Sequence, residues 1–586
     1  MFMTNATDIK QWAATREAQS QLPRLIRRLI QATSRGIERI AFPADESVQS
    51  GGWDGIAVAK EGNEFVPDGL SVWELGCDLK PNVKADTEYK KRTDNPPDII
   101  RSEATFVFVT PRIWTKKEKW AASKRAEGHW RNVRAFDADD LAHWLETART
   151  VHIWFSMLLG KHPDGATDFT TCWEEWSRAT EPGVTEKLVT AGREDAVDKI
   201  TNWLRGVPDS FGILDETKKQ ALAFFLSSLS QMPDEERCRH IARGAVVHDT
   251  ASWRHLVASD YPLILVPMFE DLSGVGQAVK NKHHVLIPSG QKSDPRRTHL
   301  IVPRLSREPA ERALVEMGCT EHQARLYASL ARRSFTAFQR TIAHTGEFQS
   351  PKWATSQYAH EMSPVLLIGT WNDANLADRK ILEKLANTSY KIISERLTGW
   401  LNNTDSPVRR HGDIWMLVSQ EDAWTLLSGF LTTDNLKSFE TVCVEVLGVT
   451  NPEFDLSLSQ QRIANFLDEA SPHSKQLCQG LANTLALMGS RDDKLAGGSK
   501  GQGCADKIVG LLLQNAEADW RIWASLSTAL PLLAEAAPVK FLEAVEKDVL
   551  SADPILKQLM NSGSDHNQSF MNPPEGELAS ALRPYA

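Results

Sequence analysis

Apolar residues at Leu22, Leu25, Ile26, Leu29 and Ile30 recur three and four positions apart. This predicts an amphipathic helix within residues 8–34, with Arg24, Arg27 and Arg28 turned away from the apolar stripe. Residues 37–42 alternate apolar and polar, the period of a strand. A turn-like stretch, Ser50-Gly51-Gly52-Trp53-Asp54, leads into strand candidates at 55–58 and 70–76. Residues 84–92 are polar and read as helix. Residues 105–110 form a near-continuous apolar run, as a strand buried on both faces requires. Residues 133–136 are one more strand candidate, and Asp137 to Asp140 cap a helix carrying Leu141, Trp144 and Leu145. The order is that of an α/β domain over residues 1–158.

Turn signals around Gly160 to Gly165 and at Glu181-Pro182-Gly183 predict a linker over 159–190. Short apolar runs then recur at 211–214, 245–247, 263–266, 285–287 and 300–302, the earlier ones separated by helical stretches such as 218–229. That alternation predicts a central parallel sheet within residues 191–345. Residues 346–586 read as a helical array without a clean repeat period, with a Gly-rich loop at 496–503 and a poorly ordered tail after Ser562. The expected class is therefore multidomain α/β plus all-α.

Composition changes little in this picture. The chain has 586 residues, too many for one core, and its 41% hydrophobic and 24% charged content is that of ordinary globular protein. No apolar run reaches membrane-spanning length, and the N-terminus lacks a secretory pattern. Seven scattered cysteines without a C-x-x-C pair predict free thiols and a cytoplasmic setting, not a zinc ribbon. Charge is more informative. Residues 1–155 hold 23 basic and 22 acidic residues, so the net charge of −9 arises in the rest of the chain. The balanced part contains basic clusters (Arg24, Arg27 and Arg28, then Lys80, Lys84, Lys90 and Lys91, then Lys116 and Lys117) that suit a polyanionic partner.

The chemistry lies between those clusters. Asp54 sits on a turn, Glu74 on the next long strand, and lysines follow. Carboxylate oxygens are what hard divalent cations bind, and a lysine can orient water or offset phosphate charge. This order of parts resembles the restriction-endonuclease-like PD-(D/E)XK nucleases, particularly their Mrr-like branch. The resemblance implies a restriction-endonuclease-like fold and a DNA-cleaving site. In that site Asp54, Glu74, the Leu75 carbonyl and Glu46 hold Mg²⁺ or Mn²⁺, and Lys80 or Lys84 completes the catalysis. Arg27, Arg28, Lys90, Lys91, Lys116 and Lys117 would meet the DNA backbone. The family's lysine normally lies two residues after the strand acid, where this chain has Gly76. The lysine is then expected on the following segment, or Asp78-Leu79-Lys80 takes over as the motif.

The central block, with helical residues 313–318 and 323–334 after it, resembles the nucleotide-binding core and lid of STAND-type ATPases, signalling proteins that include bacterial antiviral effectors. Its first strand runs into Asp215-Glu216-Thr217-Lys218-Lys219, without the G-x-x-x-x-G-K-[ST] of a phosphate loop. Nucleotide binding and ATPase activity are therefore not expected. Together the resemblances imply a DNA endonuclease effector of antiphage defence, restrained by the STAND-like and helical regions, acting as a homo-oligomer or with a separate subunit of a defence system. The competing reading is a catalytically dead nuclease fold that binds nucleic acid or a partner protein.

Overall fold

The computed structural model describes residues 3–43, 52–290, 298–401, 403, 405–452, 472–491, 495, 500–551, 554–557 and 574–582. It is a mixed α/β and helical protein that divides into two compact units, Met1–Ala328 and Ser329–Ala586. Among the described residues no helix is long and apolar enough to cross a membrane.

The first unit begins with helices α1 (Ala6–Trp12) and α2 (Arg16–Thr33). A five-stranded sheet follows: β1 (Ile37–Ala41), β2 (Gly55–Ala59), β3 (Gly69–Leu75), β4 (Thr105–Val109) and β5 (Asn132–Phe136), lying side by side in sequence order. The first two junctions are antiparallel. The last two are parallel, with crossovers through α3 (Pro81–Asp94) and α4 (Lys117–Ala126). Pleating sends alternate strand residues to opposite faces. Ala57, Trp73 and Val107 pack on one side against α2, α5 (Ala138–Thr147) and α6 (Arg149–Leu158). Val72, Phe106 and Phe108 pack on the other against Ala85 and Tyr89 of α3 and Trp120 of α4. The sheet is thus a layer between two helical layers.

The segment expected as a linker, 159–190, instead carries β6 (Ala166–Asp168), α7 (Phe169–Ser177) and α8 (Glu186–Val189). Its turn residues mark short connections between real elements: Gly160 and Gly165 adopt φ of +72° and +80°. β6 forms the antiparallel edge of a second sheet. The other strands are β7 (Ser210–Leu214), β8 (Gly244–Val247), β9 (Ile264–Pro267), β10 (His284–Ser289) and β11 (Leu300–Ile301). These pair in parallel in the order β11-β7-β10-β9-β8. The apolar runs of β8 and β9 are buried throughout, as strands covered on both faces require.

The second unit is mainly helical around one large apolar cluster that includes Trp371, Trp415, Trp424 and Trp523. It also contains a feature the helical expectation missed. β12 (Thr370–Asn372), β13 (Val408–His411) and β14 (Ile414–Leu417) form a small antiparallel sheet. His411 pairs with Ile414 across the two-residue turn Gly412-Asp413, and Gly412 takes φ +58°. Residues 501–503 of the expected Gly-rich loop begin a helix, Gly501–Ala516, and Pro574–Leu582 of the expected tail is helical.

Candidate metal and nucleic-acid site

β2 and β3 pair so that Gly55 lies opposite Trp73. Asp54 is the residue before β2, so that register continued by one step sets it across from Glu74, whose carboxyl feels the Asp54 charge. Residues opposed in this way project from the same face with their Cβ atoms about 4.5–5.5 Å apart. The face is that of Val72, so both carboxylates look toward α3. Asp54 Oδ2 accepts the Leu75 amide at 2.8 Å, which fixes the turn acid against the end of β3.

From α3 come three charged side chains, Lys84, Glu88 and Arg92, four residues apart and so on one helix face. Arg92 Nε donates to Glu74 Oε1 at 2.6 Å. The guanidinium also donates to the Gly52 carbonyl and lies over the Trp53 ring, 4.8 Å from its centroid. Lys84 Nζ donates to Glu88 Oε1 at 2.8 Å. Gly76 explains why Lys84 fits. A Cβ built there would lie 3.0 Å from Lys84 Cγ and 3.1 Å from Phe108 Cζ. The Lys84 stem crosses the space that a residue-76 side chain would fill.

Glu74 is 2% exposed. Burial, reinforced by the facing Asp54 charge, pushes its carboxyl up to about 8 from an ordinary 4.5, and Arg92 offsets only part of that rise. Burial raises Asp54 as well, against the opposing pull of the Leu75 amide and Arg92. Glu88 also suffers burial, but the Lys84 hydrogen bond wins and holds it below the usual range. The site therefore gathers three carboxylates and two cations.

This sets a pH dependence. Below about pH 4.5 Glu74 is protonated in folded and unfolded chains alike and contributes nothing. Between about 4.5 and 8 the unfolded chain gives up the proton and the folded one keeps it, so stability falls as pH rises, by at most about 1.4 kcal/mol per pH unit. Glu74→Gln lacks this penalty. Its stability relative to the parent is expected to climb across that window and level off above it, as read by urea unfolding at a series of pH values. A constant difference would contradict the assignment.

Two converging carboxylates fit a hard divalent cation. Among the described residues the second oxygen of each makes no hydrogen bond, and Mg²⁺ is commonly held by one or two carboxylates plus water and substrate phosphate. Among the described residues no group of three or more His, Cys, Asp or Glu surrounds a single point. The expected third acid, Glu46, lies outside the described residues. Leu75 reaches the site through its amide, which Asp54 binds.

The expected cations separate into two groups. Lys80 is exposed at the N-terminus of α3, and Lys90, Lys91 and Lys116 are exposed as well. The other three have partners within the unit. Arg27 pairs with Asp234 at 2.8 Å, 207 residues away. Arg28 is buried, stacks 4.0 Å from the centroid of Trp154, and donates to Thr170. Lys117 is held by Asp137 at 2.7 Å and by Asp140. Glu88 was not singled out from the sequence, and Arg92 only as one of the basic residues that follow Glu74, although the four-residue spacing from Lys84 was there to be read.

In the second sheet, the connection leaving β7 runs toward β8, and that leaving β10 crosses to β11 on the other side. Such a switch point is where doubly wound sheets place ligands. Here β7 ends at Leu214, and α9 (Lys218–Leu229), capped by Thr217, starts after three residues. Asp215 occupies that turn, its carboxyl raised by burial to about 6.

No model of a known protein family matches this chain, and a search of curated proteins finds no match.

Proposed function

We propose that the N-terminal α/β domain is a metal-dependent DNA endonuclease. The observation that carries this reading is the convergence of Asp54 and Glu74 across β2 and β3, with Lys84 of α3 reaching over Gly76. A helix, three antiparallel strands, a helix and a parallel strand is the order that a restriction-endonuclease-like core requires, which supports the resemblance. Asp54 and Glu74 would hold Mg²⁺ or Mn²⁺. The ion supplies a water activated for attack and neutralises charge on the scissile phosphate. Lys84 stands in for the lysine absent at position 76 and meets phosphate charge in the transition state. Lys80, Lys90, Lys91 and Lys116 hold the backbone without reading sequence.

The test separates rate from affinity. Lys84→Ala is expected to lower single-turnover plasmid cleavage about 100-fold or more while changing DNA affinity little. Lys80→Ala and Lys116→Ala should weaken binding at all sequences alike and reduce the salt slope by about one. Equal losses of rate and binding for all three would leave no catalytic lysine and favour the non-catalytic scaffold.

The parallel order of the second sheet supports an NTPase-like core, and its first turn argues against phosphate binding. Anions need free amides and positive field. This turn has three residues and the half-buried acid Asp215. No ATP binding is expected in calorimetry with Mg²⁺, and micromolar affinity would refute the degenerate-core reading. In this reading the core and the helical unit restrain the nuclease of an antiphage effector, alone as an oligomer or with a partner subunit.

A further inference from the structure

We propose that Arg92 is a built-in competitor of the metal: its guanidinium neutralises the carboxylate pair in the DNA-free protein, and divalent-ion loading requires the Arg92–Glu74 pair to open. The proposal rests on the reading of Asp54 and Glu74 as the metal pair and concerns how that pair is controlled.

The geometry is that of a seated counter-ion. Glu74 is 2% and Arg92 7% exposed, and the bond between them is 2.6 Å long. The guanidinium has two further anchors, the Gly52 carbonyl and the face of Trp53. Three contacts on one side chain hold it against the acid that the metal must use. The nearby cation on the same helix face is not a substitute, because Lys84 is engaged by Glu88 at 2.8 Å.

Charge counting supplies the competition. With Glu74 protonated, the Asp54 charge and the Arg92 guanidinium balance, and a divalent ion that binds both carboxylates must displace that proton. Adding a divalent ion with Arg92 in place leaves an excess of one positive charge in a buried space, which is costly without a compensating anion. Departure of Arg92 gives neutrality with the ion alone. The free enzyme therefore holds metal weakly.

The experiment is Mn²⁺ binding to the full chain without DNA, followed by electron paramagnetic resonance, for the parent, Arg92→Gln, and Arg92→Gln combined with Asp54→Asn. Arg92→Gln is expected to bind Mn²⁺ about tenfold or more tightly than the parent, the scale on which groups around a ligand alter metal affinity. Adding Asp54→Asn should remove the gain. If the parent binds and Arg92→Gln binds equally or less well, Arg92 positions Glu74 and the competitor role is overturned while the metal site stands. If no form binds Mn²⁺, both the competitor and the metal site fail.

A second readout uses the parent fold and does not depend on the variant folding. Opening of the pair takes the guanidinium off the Trp53 ring. Mg²⁺ titration of the parent should therefore change tryptophan emission, and Trp53→Phe should lose that change. Mg²⁺ binding without any Trp53-dependent change would mean that Arg92 stays in place, against the proposal.

Discussion

Asp54→Asn is expected to abolish Mg²⁺-dependent cleavage, by about 100- to 1000-fold or more, while leaving the fold intact. Asparagine keeps an oxygen for the Leu75 amide, the bond that fixes the turn against β3. What it removes is the charge. A neutral amide oxygen is a poorer ligand for Mg²⁺ than a carboxylate. Asp54→Ala would lose the same charge and also strand the amide, so the asparagine variant isolates the chemistry. A plasmid assay with Mg²⁺, with EDTA and with the variant reads it out, and DNA affinity in EDTA should be unchanged. Full activity in Asp54→Asn would remove Asp54 from the site.

The largest effect on stability is expected from Trp144→Ala, at about 3–5 kcal/mol. Trp144 is fully buried on the face of the five-stranded sheet away from α3. It stacks on Phe65 with centroids 5.0 Å apart and on Trp73 at 6.3 Å, and its Nε1 donates to Thr33 at 2.9 Å. Truncation leaves a cavity that rigid neighbours on a sheet and two helices cannot fill. The effect should reach the site as well, because Trp73 is next to Glu74 in β3. The checks are urea unfolding and the cleavage rate measured on the same preparation. A loss below about 1 kcal/mol would contradict the packing described here.

Most of the N-terminal fold could be read from the sequence, since periodicity reports which face of an element is buried. The β3 and β4 runs and the α2 stripe lie where their patterns place them. The carboxylate pair was legible for a related reason: a turn acid and a strand acid are both local features. Charge partners were not legible. Arg27 meets Asp234, Arg28 meets Thr170 and Lys117 meets Asp137, over separations that no local pattern encodes. A basic cluster on a helix therefore looks the same whether it faces DNA or a neighbouring element. The choice of Lys84 over Lys80 required knowing where α3 begins, because Lys80 precedes its first turn while Lys84 lies on the face shared with Glu88 and Arg92. The hairpin between Val408 and Leu417 was hidden because its strands are four residues each and lie among long helical stretches.

The most direct test of the central claim is a crystal of the full chain grown with saturating Mn²⁺ and measured at the manganese absorption edge. An anomalous peak bounded by the carboxylates of Asp54 and Glu74 is expected, with the Arg92–Glu74 bond broken. An ordered site with no peak between those two residues, and with Arg92 still on Glu74, would contradict it.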